Sequence, residues 1–220
     1  MSSILINFAA GEVHEKHRKL QIESAEKVCS FDRIVECSRD SLDDQFVEDN
    51  ASLLEYEHGA GLWLWKPYVI LNTLKECSDG DIVFYMDADW YFAKDPQPFI
   101  DRAEEIDILL FHEAGDPAKW WCSRNTFMEM DAYTAEYART TMLLAGYSLW
   151  KCCKKSIDFL EKWLQLCCRR EVILPIIYNE GHCYDQSILT ILAKKEGIEA
   201  ELSPRMNQTI LENCLDNQEV

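Results

Sequence analysis

Two carboxylates one residue apart, Asp87 and Asp89, directly follow an unbroken apolar run, Ile82-Val83-Phe84-Tyr85-Met86. At the tip of a buried strand such a pair can hold a hard divalent cation and leave its other coordination positions to substrate phosphates. In a chain this acidic, Asp87-Ala88-Asp89 also reads as a solvated turn, but the strand before it favours a metal or ribose role. Upstream, Gly59-Ala60-Gly61-Leu62-Trp63-Leu64-Trp65-Lys66-Pro67 combines small residues, two indoles and an ammonium just ahead of a helix. A helix start beside Lys66 suits a diphosphate through free N–H groups, the macrodipole and the side-chain charge. A packed loop with a snorkelling lysine fits the same residues. Gly181-His182-Cys183-Tyr184-Asp185-Gln186-Ser187 opens another apolar helix. Asp185 there is either an N-cap, the commoner use, or a general base, with His182 as a metal or phosphate partner. Trp120 and Trp121, near Arg124, Asn125, Glu129 and Asp131, are either core or a stacking platform. Glu113 and Asp116 are second-choice carboxylates for acid–base work, or solvated loop charges.

These side chains need elements to position them. Ile4 to Phe8 reads as a strand and Glu12 to Lys27 as a helix; Phe31 to Cys37 is a second strand, followed by a helix lined by Leu42, Phe46, Leu53 and Leu54. Pro67 to Cys77 is helical, with Pro67 suited to a first turn. Ser78-Asp79-Gly80 stops it before a third strand, Asp81 to Met86, buried on both faces. Ile106 to His112 is a fourth strand. Ser156 to Cys168 is a helix with Ile157, Leu160, Trp163, Leu164 and Cys167 on one side. This alternation predicts one α/β domain over residues 1–220, a mostly parallel central sheet flanked by helices, with ligands beyond the carboxyl ends of the strands. The polar stretch from Glu196 to Val220 is expected to be a loosely held tail.

A length of 220 residues, 48% of them hydrophobic, fits a single core. Lys and Arg total 22 and Asp and Glu total 39, a balance of −17. Such a field repels polyanions, which excludes nucleic acid and anionic membrane as partners and means that a phosphate ester would need a local cation. The ten cysteines form no CxxC pair with matching spacing, so the thiols are expected to be reduced and the chain cytoplasmic. The amino terminus lacks a basic segment and a long apolar run, and no stretch reaches the length of a transmembrane span.

Four segments in order then resemble one family. Trp63 to Pro67, Gly80 to Asp89, Ala145-Gly146 and His182-Cys183-Tyr184-Asp185-Gln186-Ser187-Ile188-Leu189 are similar to those of GT-A-fold nucleotide-sugar glycosyltransferases, especially the small enzymes of bacterial surface-polysaccharide clusters and large algal viruses. The resemblance runs from about Ile4 to about Glu199. It implies a Rossmann-like GT-A domain, Mn2+ or Mg2+ as cofactor, a nucleoside diphosphate sugar (UDP- or GDP-linked) as donor and a glycan as acceptor. On the matching residues it implies a metal site at Asp87 and Asp89, donor contacts at Phe8, Ala9, Ala10, Lys66, Asp87 and Ala88, and an H-x-x-D-Q-S element from His182. That element often reads His-Arg-His-Asp-Gln-Ser; Cys183 and Tyr184 replace the Arg and the second His here. With inversion, Asp185 would be the base. With retention, His182 as a third metal ligand would matter more. A carbohydrate-binding module without turnover is set against the intact acidic pair. A haloacid-dehalogenase-type phosphatase is set against Tyr91 at the fifth position of its motif, and a sugar-phosphate nucleotidyltransferase against a loop, Phe8 to Val13, with only Gly11 and no Arg or Lys.

Overall fold

Apolar runs left unbroken by polar residues become the inner strands of one sheet. In the computed structural model, which describes residues 1–177 and 180–212, the elements run β1 (Ser3–Phe8), α1 (Glu12–Val28), β2 (Arg33–Cys37), α2 (Asp44–Asp49), α3 (Ala51–Leu54), α4 (Gly59–Leu62), α5 (Trp65–Lys75), β3 (Ile82–Met86) and β4 (Trp90–Phe92). There follow α6 (Gln97–Ile106), β5 (Ile108–Pro117), α7 (Arg124–Glu129), α8 (Ala135–Ala138), β6 (Thr141–Lys151), α9 (Lys154–Cys167), α10 (Arg170–Ile173), α11 (Tyr184–Lys195), β7 (Ala200–Leu202) and β8 (Ile210–Glu212). Six strands make the main sheet in the order β2-β1-β3-β6-β5-β7. Five share one direction, and β6 runs antiparallel between β3 and β5.

Side-chain alternation along the strands assigns the two faces. Ile4, Ile6, Val83 and Tyr85 pack with Ile70 and Leu74 of α5, Leu160 and Trp163 of α9, and Ile188 of α11. Leu5, Phe84 and Met86 face the other way, against Ala25 of α1 and Ile100 and Ala103 of α6. Because β2 lies on one side of β1 and β3 on the other, the connections leave β1 in opposite directions. A crevice opens there, beyond the carboxyl ends of β1 and β3.

Several expectations shift. The helix predicted through Leu42 and Leu54 breaks into α2 and α3 at Asn50, which leaves helical geometry (φ −115°, ψ 15°) while its side chain and its own N–H both donate to the Phe46 carbonyl (2.9 and 3.2 Å). β6 goes unread in the sequence, although it is the longest strand of the described residues. The expected tail is held through much of its length, where β7 pairs with β5 and β8 with β4; residues 213–220 of that stretch lie outside the described residues. No helix among the described residues is long and apolar enough to cross a membrane.

Candidate active site

The crevice is a cavity of about 570 Å³ bordered by the end of β1 (Phe8, Ala10), His14 of α1, Lys66 of α5, Asp87 to Trp90 after β3, Ala145 and Gly146 of β6, and His182 to Gln186 at the start of α11. Its size suits a small-molecule ligand. The β3–β6 ladder delivers the acidic turn to it, since the Asp87 amide donates to the Gly146 carbonyl (2.7 Å).

Lys66 is the hub. Its side chain is 3% exposed, and Nζ lies 3.1 Å from Asp87 Oδ1 and 3.3 Å from Asp185 Oδ2, while donating to the Ala145 carbonyl (3.1 Å). Burial works against the ammonium, but the charges of Asp185 and Asp87 prevail and hold its pKa above the usual lysine value. Asp185 is buried too. Desolvation pushes its carboxyl up to about 6, with Lys66 opposing and Asp87 adding to the rise. Its Oδ2 is paired with Lys66 but receives no aligned hydrogen bond. The Tyr85 hydroxyl donates to Asp87 Oδ1; burial and then the Asp87 charge keep that phenol protonated far above its ordinary value.

A second set of polar groups fixes the acidic turn from the α1 side. Gln21, fully buried, donates through Nε2 to the carbonyls of Asp87 (2.6 Å) and Trp90 (3.1 Å), and its Oε1 accepts from Asn7 Nδ2 (2.8 Å). Asp89 is partly exposed beside this network. Burial, then the Asp87 charge, raises its pKa. Among the described residues no group of three His, Cys, Asp or Glu side chains is close enough to enclose a metal. A dication would therefore draw two carboxylates from the chain and its other oxygens from ligand and water. That donor set fits Mg2+ or Mn2+ in nucleotide sites.

The floor beside Lys66 rests on backbone that few residues tolerate. Gly59, Ala60, Gly61, Leu62 and Trp63 all have positive φ (61, 50, 107, 58 and 57°), a single left-handed turn closed by Leu62 N–H to the His58 carbonyl and Trp63 N–H to the Gly59 carbonyl. Its three non-glycine residues carry a penalty of roughly 1–2 kcal/mol each. Gly59 is needed there for a second reason, because an added Cβ would stand 2.4 Å from the Trp63 ring.

The residues expected from sequence divide into those at the cavity and those elsewhere. Phe8, Ala10, Lys66, Asp87, Ala88, Asp89, His182 and Asp185 border it. Phe8 stacks on Trp65 with ring centroids 3.7 Å apart, and Ala9 ties β1 to β2 through its amide and the Cys37 carbonyl (3.0 Å). Asp185 is no N-cap: α11 begins one residue before it, Cys183 stands at the cap, and the carboxylate turns inward to Lys66. His182 is a structural pin, because Nδ1 accepts from the Ser123 amide (3.2 Å) and Nε2 donates to the Ile173 carbonyl (2.8 Å), leaving no nitrogen for a metal. Glu113 pairs with Arg205 (3.2 Å) and Asp116 accepts from the Trp121 indole (3.1 Å), both outside the cavity. Trp120 and Trp121 are exposed rather than core and do not border the cavity. Asn125 is buried in bonds to the backbone of 171–176, Glu129 pairs with Arg169, and Arg124 lies over the Tyr133 ring. Asp131, at φ 48°, occupies the turn after α7. His14, Gln21 and Tyr85 were not singled out in the sequence. The usable signal for His14 is its position one turn into the helix that follows β1, where side chains face the crevice.

No model of a known protein family matches the chain, and no curated protein matches it. Solved structures do. Mouse xyloside xylosyltransferase 1, in its apo form, aligns over 92% of this chain and 84% of that one, with a TM-score of 0.52 at 10% identity. A glycosyltransferase involved in the glycosylation of the major capsid of PBCV-1 aligns over 76% of this chain and 66% of that one, with a TM-score of 0.45 at 15% identity. The likeness to the mouse enzyme is one of fold: a single Rossmann-like α/β domain.

Proposed function

We propose that the chain is a metal-dependent glycosyltransferase that moves a sugar from a uridine or guanosine diphosphate donor to a glycan hydroxyl with inversion. The observation that carries this is the charge arrangement of the crevice. Asp87, Asp89, Asp185 and Glu57 line it, and Lys66 is the only Lys or Arg among its lining residues. A diphosphate entering there would meet a net negative wall, so its binding requires a cation. Asp87 and Asp89 would hold Mn2+ or Mg2+, which when bound supplies Lewis-acid stabilisation of the departing diphosphate. Phe8, Ala10 and Ala88 would border the donor, Ala9 would hold that segment to β2 from behind, and Lys66 would set the geometry and charge of both neighbouring carboxylates.

Asp185 would be the base. A carboxyl raised to about 6 is ionised near neutrality and basic enough to accept a proton. The acceptor oxygen bonds to the anomeric carbon, its proton passes to the Asp185 carboxylate, and the bond from that carbon to the diphosphate oxygen breaks with its electron pair on the diphosphate. Retention with His182 on the metal is disfavoured because both its nitrogens are bonded within the protein. Nine free thiols among the described residues support a reducing, cytoplasmic setting.

Calorimetric titration of UDP and GDP, in Mn2+ and in EDTA, tests the metal and the donor together. Affinity is expected to be strong with Mn2+ and reduced to a weak residue in EDTA, and at least roughly tenfold weaker in Mn2+ for Asp89→Ala, about 1.4 kcal/mol. Equal affinity in EDTA, or an unchanged variant, would remove the metal from the mechanism.

A further inference from the structure

Beside the Lys66 cluster the cavity is walled by three rings that the chemistry above does not use: His58, Trp63 and Tyr184. Their centroids lie 4.9 Å (His58–Trp63), 5.0 Å (His58–Tyr184) and 5.8 Å (Trp63–Tyr184) apart, at interplanar angles of 84°, 59° and 41°. No pair is parallel, so the rings make an open corner and not a slot. His58 is exposed and the other two are half-buried, so the corner is not core. His58 and Trp63 flank the left-handed turn, and Tyr184 itself has φ 45°. Strained backbone at both sources of one aromatic corner is a cost that a folding role does not require, and such strain gathers at ligand sites.

We propose that this corner is the acceptor subsite and that it takes a neutral pyranose. The inference rests on the glycosyltransferase reading and adds the class and position of the second substrate. A pyranose offers apolar C–H faces to rings and hydroxyls at its edges, and the corner supplies both partners: the faces of Trp63 and Tyr184, and the polar atoms of Glu57 and the His58 imidazole. It offers no ammonium or guanidinium, which an anionic acceptor would need. Tyr184 and Asp185 border the same cavity, so a sugar held at the corner shares it with the proposed base.

The test is saturation-transfer NMR with methyl pyranosides of xylose, glucose, galactose and mannose as probes, on the wild type, Trp63→Ala, Tyr184→Ala and Trp63→Phe. UDP and GDP binding in Mn2+ is titrated on each protein and serves as the folding control. At least one pyranoside is expected to bind the wild type, to bind both alanine variants about tenfold more weakly, and to be largely restored by Trp63→Phe, with nucleotide affinity held within about twofold. Pyranoside binding that is absent from the wild type, or equal in the alanine variants, overturns the proposal. Loss of nucleotide binding in those variants with pyranoside binding intact overturns it too, making the corner a base platform. If pyranosides bind and depend on the corner but no nucleotide binds the wild type, the glycosyltransferase reading fails and the sugar site stands.

Discussion

A carboxylate enclosed by β3, α5 and α11 is costly to ionise, and Asp185 has one compensating cation, Lys66 at 3.3 Å. The sign of its effect on folding follows from the raised pKa. Between about 4 and 6 the folded chain holds a proton that the unfolded chain has released, so this group's contribution to stability is lost as pH rises. As the proposed base, Asp185 would be reactive in the form that the fold favours less. Asp185→Asn is expected to lower kcat by about 10²–10⁴, with UDP or GDP affinity nearly unchanged. In the wild type kcat/KM should climb as pH rises through about 6, and that limb should vanish from the residual activity of the variant. Normal turnover in Asp185→Asn would move the base elsewhere.

At the scale of elements, the approach to α11 is fastened by one imidazole. His182 joins the start of α7, through Ser123, to the end of α10, through Ile173, and burial drives its pKa down to about 4. The unfolded chain takes up a proton near 6.5 that the folded chain refuses, so this contribution is present above about 6.5 and disappears as pH falls toward 4. Urea unfolding of His182→Gln should therefore show a flatter loss of stability across that window than the wild type; parallel curves would deny His182 the role. Little of this fastening is legible in sequence, because Ser123 is remote from His182 along the chain and the Ile173 contact is made through a backbone carbonyl. β3 and its acidic turn are legible, since a run of five buried residues ending in carboxylates has few other uses. β6 is not, because Gly146 looks like a break. In the sheet it marks a close approach, where an added Cβ would sit 3.2 Å from Trp90 Nε1. The left-handed turn is likewise hidden, as nothing local predicts Leu62 and Trp63 at positive φ.

Across the whole molecule, a net charge of −17 opposes any nucleotide before it reaches the crevice. In EDTA, residual UDP binding is therefore expected to strengthen as NaCl rises from about 20 to about 200 mM, because salt screens repulsion between like charges. Titration calorimetry gives the slope, and weakening with salt would mean that the local pull of Lys66 outweighs the global field. The pairing of β4 with β8 links distant parts of the chain. Trp90 to Phe92, next to Asp89, are zipped to Ile210 to Glu212. On the ribosome the acidic turn emerges long before the partner that clasps it. The turn should accordingly reach its final setting late in translation, and a protease that trims the chain upstream of Ile210 would release Trp90 to Phe92 from their partner while the main sheet stays intact.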